Sequence, residues 1–122
     1  MNTPPIFRLC AAAAGVKALL GTAPVRLFLF GEAPEGVQKP YAVWQVVGGS
    51  PENYLAGRPD TEQHSLQIDV YAATASTARA ALAAIERAIE QDAYVTRYGG
   101  ESRDPETQNY RSSMDVDWLT YR

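Results

Sequence analysis

The chain has 122 residues, 46% of them hydrophobic and 20% charged, which suits one globular core and excludes disorder along its whole length. A net charge of -3 disfavours a free-standing, non-specific nucleic-acid binder, because such a surface must be basic. One cysteine and one histidine exclude an internal disulfide framework and any zinc site built mainly from Cys and His.

The first predicted element is a helix. Thr3 can cap it, Pro4 and Pro5 are tolerated in the first turn, and Ile6, Leu9, Cys10, Ala13, Val16 and Leu20 recur at helical spacing up to a stop at Gly21. The N-terminus lacks the basic-then-apolar order of a secretory signal, and residues 9–20 are too short and too weakly apolar to span a bilayer. A soluble cytoplasmic protein without membrane contact is therefore expected, with Cys10 reduced and acting as a small core residue.

After Pro24, residues 25–30 read as a strand with apolar groups on both faces, a pattern that is buried on both sides or lies against a partner. A Gly-, Pro- and Glu-rich loop over residues 31–40 leads to a second strand at 41–47, which Gly48-Gly49-Ser50-Pro51 ends. The loop over residues 50–61 holds Tyr54, Leu55 and Arg58, and loops of that length are often functional. The third strand, 62–72, alternates Leu66, Ile68, Val70 and Ala72 with Ser65, Gln67, Asp69 and Tyr71, giving one dry and one wetter face.

Thr74 or Ser76 caps the next helix, whose inner face runs through Ala78, Ala81, Leu82, Ile85, Ala88 and Ile89. A short fourth strand covers residues 93–98, Gly99-Gly100 reads as a turn, and a long alternating strand fills 110–121. The order α-β-β-β-α-β-β with short connections predicts an α+β fold: a mostly antiparallel five-stranded sheet with two helices packed on one face.

Tests for chemistry mostly return structural answers. His64 has no nucleophile and acid gathered around it in the pattern a triad requires, and reads as a surface or edge-strand residue. Asp115 and Asp117 share the wet face of the last strand. Asp69 joins them only if the third and last strands are neighbours, in which case Arg97 or Arg111 must sit between the carboxylates, forming ion pairs rather than a metal or acid–base site. Neither glycine pair fits a phosphate loop or dinucleotide fingerprint. Nine of the eleven basic residues are arginine, and there are seven tyrosines and two tryptophans, a bias toward the residue types found in protein–protein contacts.

Pro40-Tyr41-Ala42-Val43-Trp44-Gln45, then Gly49-Ser50-Pro51-Glu52 and Leu55-Ala56-Gly57, then Leu66-Gln67-Ile68-Asp69-Val70-Tyr71-Ala72 and an Ala-rich helix follow one another along the chain. This succession resembles the tail-completion or tail-terminator proteins of long-tailed bacteriophages and prophages. The resemblance implies one domain over residues 1–122 that forms a ring, usually a hexamer, at the head-proximal end of the tail tube. That ring stops tube polymerisation and presents a surface to head-completion or connector proteins. It implies a virion protein assembled in the host cytoplasm, with no catalytic residue, cofactor or metal. Tail-tube protein, head-completion proteins and further copies of the chain are the expected partners, and DNA passes through the ring without sequence-specific binding. Net acidity suits such a conduit, because a lumen that does not grip phosphate lets DNA slide. The residues expected at the subunit or tube interface are Tyr54, Leu55, Arg58, Phe28 and Phe30. Two other readings compete: a head–tail adaptor of the phage neck, and a small dimeric α+β ligand-binding or enzymatic domain.

Overall fold

A computed structural model describes residues 4–51 and 61–121. The elements are α1 (Ile6–Ala12), α2 (Ala14–Leu20), β1 (Leu27–Leu29), β2 (Tyr41–Pro51), β3 (Thr61–Ala72), α3 (Ala75–Ile89), β4 (Ala93–Arg103) and β5 (Tyr110–Tyr121). One sheet carries the strands in the order β1-β2-β3-β5-β4. Every neighbouring pair is antiparallel except β1 and β2, which run parallel. The residues 31–40 supply the length that a parallel return needs. The α+β class and the mostly antiparallel five-stranded sheet thus match the sequence expectation.

Alternation along the strands sorts the side chains. Leu66, Ile68, Val70 and Ala72 of β3 stand beside Met114 and Val116 of β5 and Ala42 and Trp44 of β2, all buried on the helix-covered face. Against them α3 lays Ala78, Ala81, Leu82, Ile85 and Ile89, and its alanines let the helix axis approach the sheet closely. Thr74 caps α3, its hydroxyl accepting from the Thr77 N–H at 3.2 Å.

Five expectations need correction, the first being the second strand, which runs on through Gly48-Gly49 to Pro51 instead of ending at residue 47. The leading helix is two helices of seven residues each, separated by Ala13 in an extended conformation (φ -91°, ψ 122°). Helices this short are marginal alone, so packing decides their shape: the break lets Ile6 and Cys10 of α1 and Val16 and Leu20 of α2 all reach the core. The first strand is three residues, not six, and β4 runs on to Arg103 through the glycine pair. His64 is neither at the surface nor on an edge. It is 1% exposed on β3, the middle strand of the sheet, opposite Trp118 of β5, because it continues the inward series of Leu66, Ile68 and Val70.

Gly21 ends α2 with φ +86°, where any other residue is strained. A Cβ there would lie 2.5 Å from Nη1 of Arg26, which cannot swing freely away because the same guanidinium donates to the Pro40 and Leu19 carbonyls at 2.9 and 3.2 Å. Gly21→Ala is expected to lower stability by roughly 1–3 kcal/mol in a urea titration, through strain at positive φ and loss of this clasp. An unchanged midpoint would show that the clasp is dispensable.

Candidate assembly surfaces

The face of the sheet turned away from the helices is polar and internally paired. Asp69 of β3, with its side chain only 8% exposed, accepts from Arg111 of β5 at 2.9 and 3.1 Å and from Gln67 Nε2 at 3.1 Å. Arg97 of β4 lies 3.5 Å from Asp115, while Asp117 accepts from the Ser65 hydroxyl at 2.8 Å. β3 and β5 are neighbours, and Arg111 and Arg97 pair with Asp69 and Asp115 as ion pairs, while Gln67 and Ser113 rather than an arginine stand between Asp69 and Asp115. Beside this network Tyr41 and Tyr71 stack with centroids 5.2 Å apart. Burial, followed by the nearby Asp69 charge, holds the Tyr71 phenol above its ordinary pKa. Arg111→Ala leaves the Asp69 carboxylate shielded with fewer donors and is expected to cost about 1–3 kcal/mol, because a buried acceptor loses its charged partner. A loss below about 0.5 kcal/mol would place the pair among surface ion pairs of little consequence.

No reactive centre emerges among the described residues. No group of His, Cys, Asp and Glu is placed to hold a metal ion. Cys10 is fully buried, and burial pushes its thiol up to about 12. A raised thiol pKa keeps the neutral form in the folded state. Its contribution to stability is therefore whole below pH 9 and declines as pH climbs toward 12, where the unfolded chain alone would be ionised. Native protein at pH 8 is expected to resist maleimide and to react only after unfolding; fast native labelling would contradict this burial. A groove of about 500 Å3 between α3 and β4 is lined by Arg79, Glu101, Glu86 and Tyr98, but these are already engaged as the pairs Arg79–Glu101 and Tyr98–Glu86.

What the molecule does display is two exposed sheet edges. At the β1 edge, Phe30 is 66% exposed, and its N–H donates to the Trp44 carbonyl at 2.8 Å, which sets it beside β2. There β2 carries a bulge between Val46 and Gly48, just past the last residue paired with β1, and Val46 and Val47 are both exposed. Leu29 completes an aliphatic and aromatic patch. At the other edge, β4 presents Tyr94 (58% exposed) and Tyr98 (63% exposed). Their hydroxyls approach Asp117 on the open face at 3.4 Å and Glu86 on the helix side at 2.8 Å, so the rings stand on either side of the strand.

Of the interface residues expected from sequence, Phe30 lies in the β1-edge patch and Phe28 is half-buried one strand position from Leu29. Tyr54, Leu55 and Arg58 lie outside the described residues. Sequence reasoning passed over Val46, Val47, Tyr94 and Tyr98. Two adjacent valines before Gly48-Gly49 were an available signal, since strict alternation cannot send both inward.

Polar groups paired among themselves and apolar groups shown at two edges are features of a subunit that contacts other chains. The family model for tail completion protein gp17 matches residues 4–121, and the chain belongs to that family. It is accordingly a structural, non-enzymatic protein of the phage tail. Among solved structures it is similar to a chain from the virion of a native gene transfer agent (GTA) particle, with TM-score 0.75 and 19% identity over 96% of this chain and 92% of that one. At that identity the likeness shows the fold. No curated protein sequence matches the chain.

Proposed function

We propose that the chain closes into a ring, a hexamer, at the head-proximal end of the tail tube, where it ends tube polymerisation and offers a surface to head-completion proteins. The observation that carries this reading is the pair of unlike exposed edges at opposite ends of the sheet, aliphatic at β1–β2 and tyrosine-rich at β4. Unlike patches on one subunit join copies head to tail, and such contacts close into a ring when the rotation per copy permits. Membership of a tail-completion family supports the place of that ring in the particle. DNA passes through it without sequence-specific contact, in keeping with the net charge of -3.

Within this proposal Phe28 and Phe30 belong to the joint between copies, and Tyr54, Leu55 and Arg58 reach a neighbour or the tube. Adding the protein to growing tail tubes is expected to arrest their elongation at one end. Replacing Tyr54 and Arg58 together by alanine should weaken that arrest while leaving the thermal midpoint unchanged. Tubes that grow to the same lengths with and without the protein would contradict termination.

A further inference from the structure

Seven large hydrophobic side chains are exposed among the described residues, and six of them sit at the two sheet edges: Leu29, Phe30, Val46 and Val47 at one, Tyr94 and Tyr98 at the other. Neither edge is built to be extended by another strand. β1 is three residues long, and turn bonds already occupy groups on it: the Leu27 N–H donates to Val25 and the Leu29 carbonyl accepts from Glu32, both at 2.9 Å. β4 is longer but carries register shifts between Val95 and Arg97 and between Tyr98 and Gly100. Bulges of this kind spoil a continuous ladder and discourage indiscriminate edge pairing. Contact at these edges must therefore run through side chains.

Charge decides which edge meets which. The stretch Gly31-Glu32-Ala33-Pro34-Glu35-Gly36, next to Phe30, exposes two carboxylates and no base. On β4, Arg97 stands between the two tyrosines with its side chain 71% exposed, and among the described residues its ion-pair partner is Asp115 at 3.5 Å. A surface pair of that kind is worth about 1 kcal/mol or less, so the guanidinium is available to a second acid. Two β1 edges face to face would oppose Glu32 and Glu35 to their own copies, and two β4 edges would oppose Arg97 to Arg97. The unlike pairing sets Arg97 toward Glu32 and Glu35 as well as tyrosine against the aliphatic patch.

We infer that a second copy of this chain is the occupant of each edge: Tyr94 and Tyr98 of one copy seat on Leu29, Phe30, Val46 and Val47 of the next, and Arg97 reaches Glu32 and Glu35. This deepens the ring proposal and rests on it. The joint is directional, so each copy uses one donor edge and one acceptor edge, and like edges never meet.

Two chains with one added cysteine each test it, Phe30→Cys and Tyr98→Cys, with the buried Cys10 providing a silent background. Mixed in equal amounts with a short bismaleimide, they are expected to give a cross-linked dimer that neither chain gives alone. Reversal of charge is the second arm. Arg97→Glu, and separately Glu32→Arg with Glu35→Arg, should each weaken assembly by about tenfold or more, and the three changes together should restore it. All these positions are exposed, so circular dichroism should match the parent chain; Arg97→Glu alone is expected to lower the thermal midpoint slightly, because it faces Asp115. Cross-linking by either cysteine chain alone, as efficient as in the mixture, would overturn the joint. So would a parent chain that assembles while the mixture stays uncross-linked, or charge reversals that neither weaken nor rescue. A chain bearing both cysteines separates this inference from the ring itself: a ladder ending at a fixed copy number upholds both, whereas an open-ended ladder upholds the joint and overturns closure.

Discussion

Phe30→Asp and Val47→Asp, made singly, are each expected to yield a folded chain that assembles at least about 30-fold less tightly, the loss typical of a residue central to an interface. Both side chains are exposed, at 66% and 50%, so the fold loses little when they become polar, on the order of 0.5 kcal/mol. The assembled state loses far more. A carboxylate at either position is withdrawn from water against the tyrosines of the neighbour, with Glu32 already close by on the same edge. Phe30→Leu should retain most of the association, since it keeps an apolar group. The check is sedimentation of each variant, alone and with tail-tube protein, beside a denaturation curve. Association at the parent strength by both Asp variants would remove the β1 edge from the interface.

Trp118→Ala is expected to be the most damaging single change to folding, about 3–5 kcal/mol. Trp118 is 1% exposed on β5, with His64 opposite on β3 and Ala93 opposite on β4, so it fills the core where three strands meet. Small neighbours such as Ala93 cannot expand into the vacated space, and a cavity remains. A domain of this size commonly holds only about 5–15 kcal/mol in total, so the variant should be marginal at 37 °C. Urea unfolding followed by far-ultraviolet circular dichroism reads the loss, because only Trp44 would remain as a tryptophan fluorophore. A loss near 1 kcal/mol would mean that the core collapses onto the gap.

The two predictions act on different parts of the molecule, and the sequence spoke unequally to them. The inward series of Leu66, Ile68, Val70 and Ala72, and that of Met114, Val116 and Trp118, were legible because a strand facing one core repeats every two residues. The Thr74 cap and the alanine-rich face of α3 were legible for the same local reason. The Asp69–Arg111 pair was readable as a conditional statement that strand order then satisfied.

Other features depend on what lies across the sheet. His64 reads as a surface residue until β2 and β5 are known to flank its strand. Residues 99 and 100 read as a turn, but Gly100 at φ +85° absorbs a bulge and Gly99 fits against Ser113, where a Cβ would come within 3.0 Å of Oγ. The strand continues past both. Phe30 was singled out from a run apolar on both faces. Its companions Val46 and Val47 were passed over: two adjacent valines signal that one faces outward, but the bulge that exposes both is a property of the pairing with β3. Interfaces are harder to read than cores for this reason. A core is specified by periodicity within each element, whereas an edge patch is the sum of strand order, strand length and bulge position.

Head-to-tail closure fixes the mass of the native assembly. Native mass spectrometry of the full chain, alone and with the tail-tube protein, should show one closed species of fixed copy number, six on the ring proposal, free in solution or formed on the tube end. A chain that remains monomeric in both settings, or one that grows without limit, would contradict it.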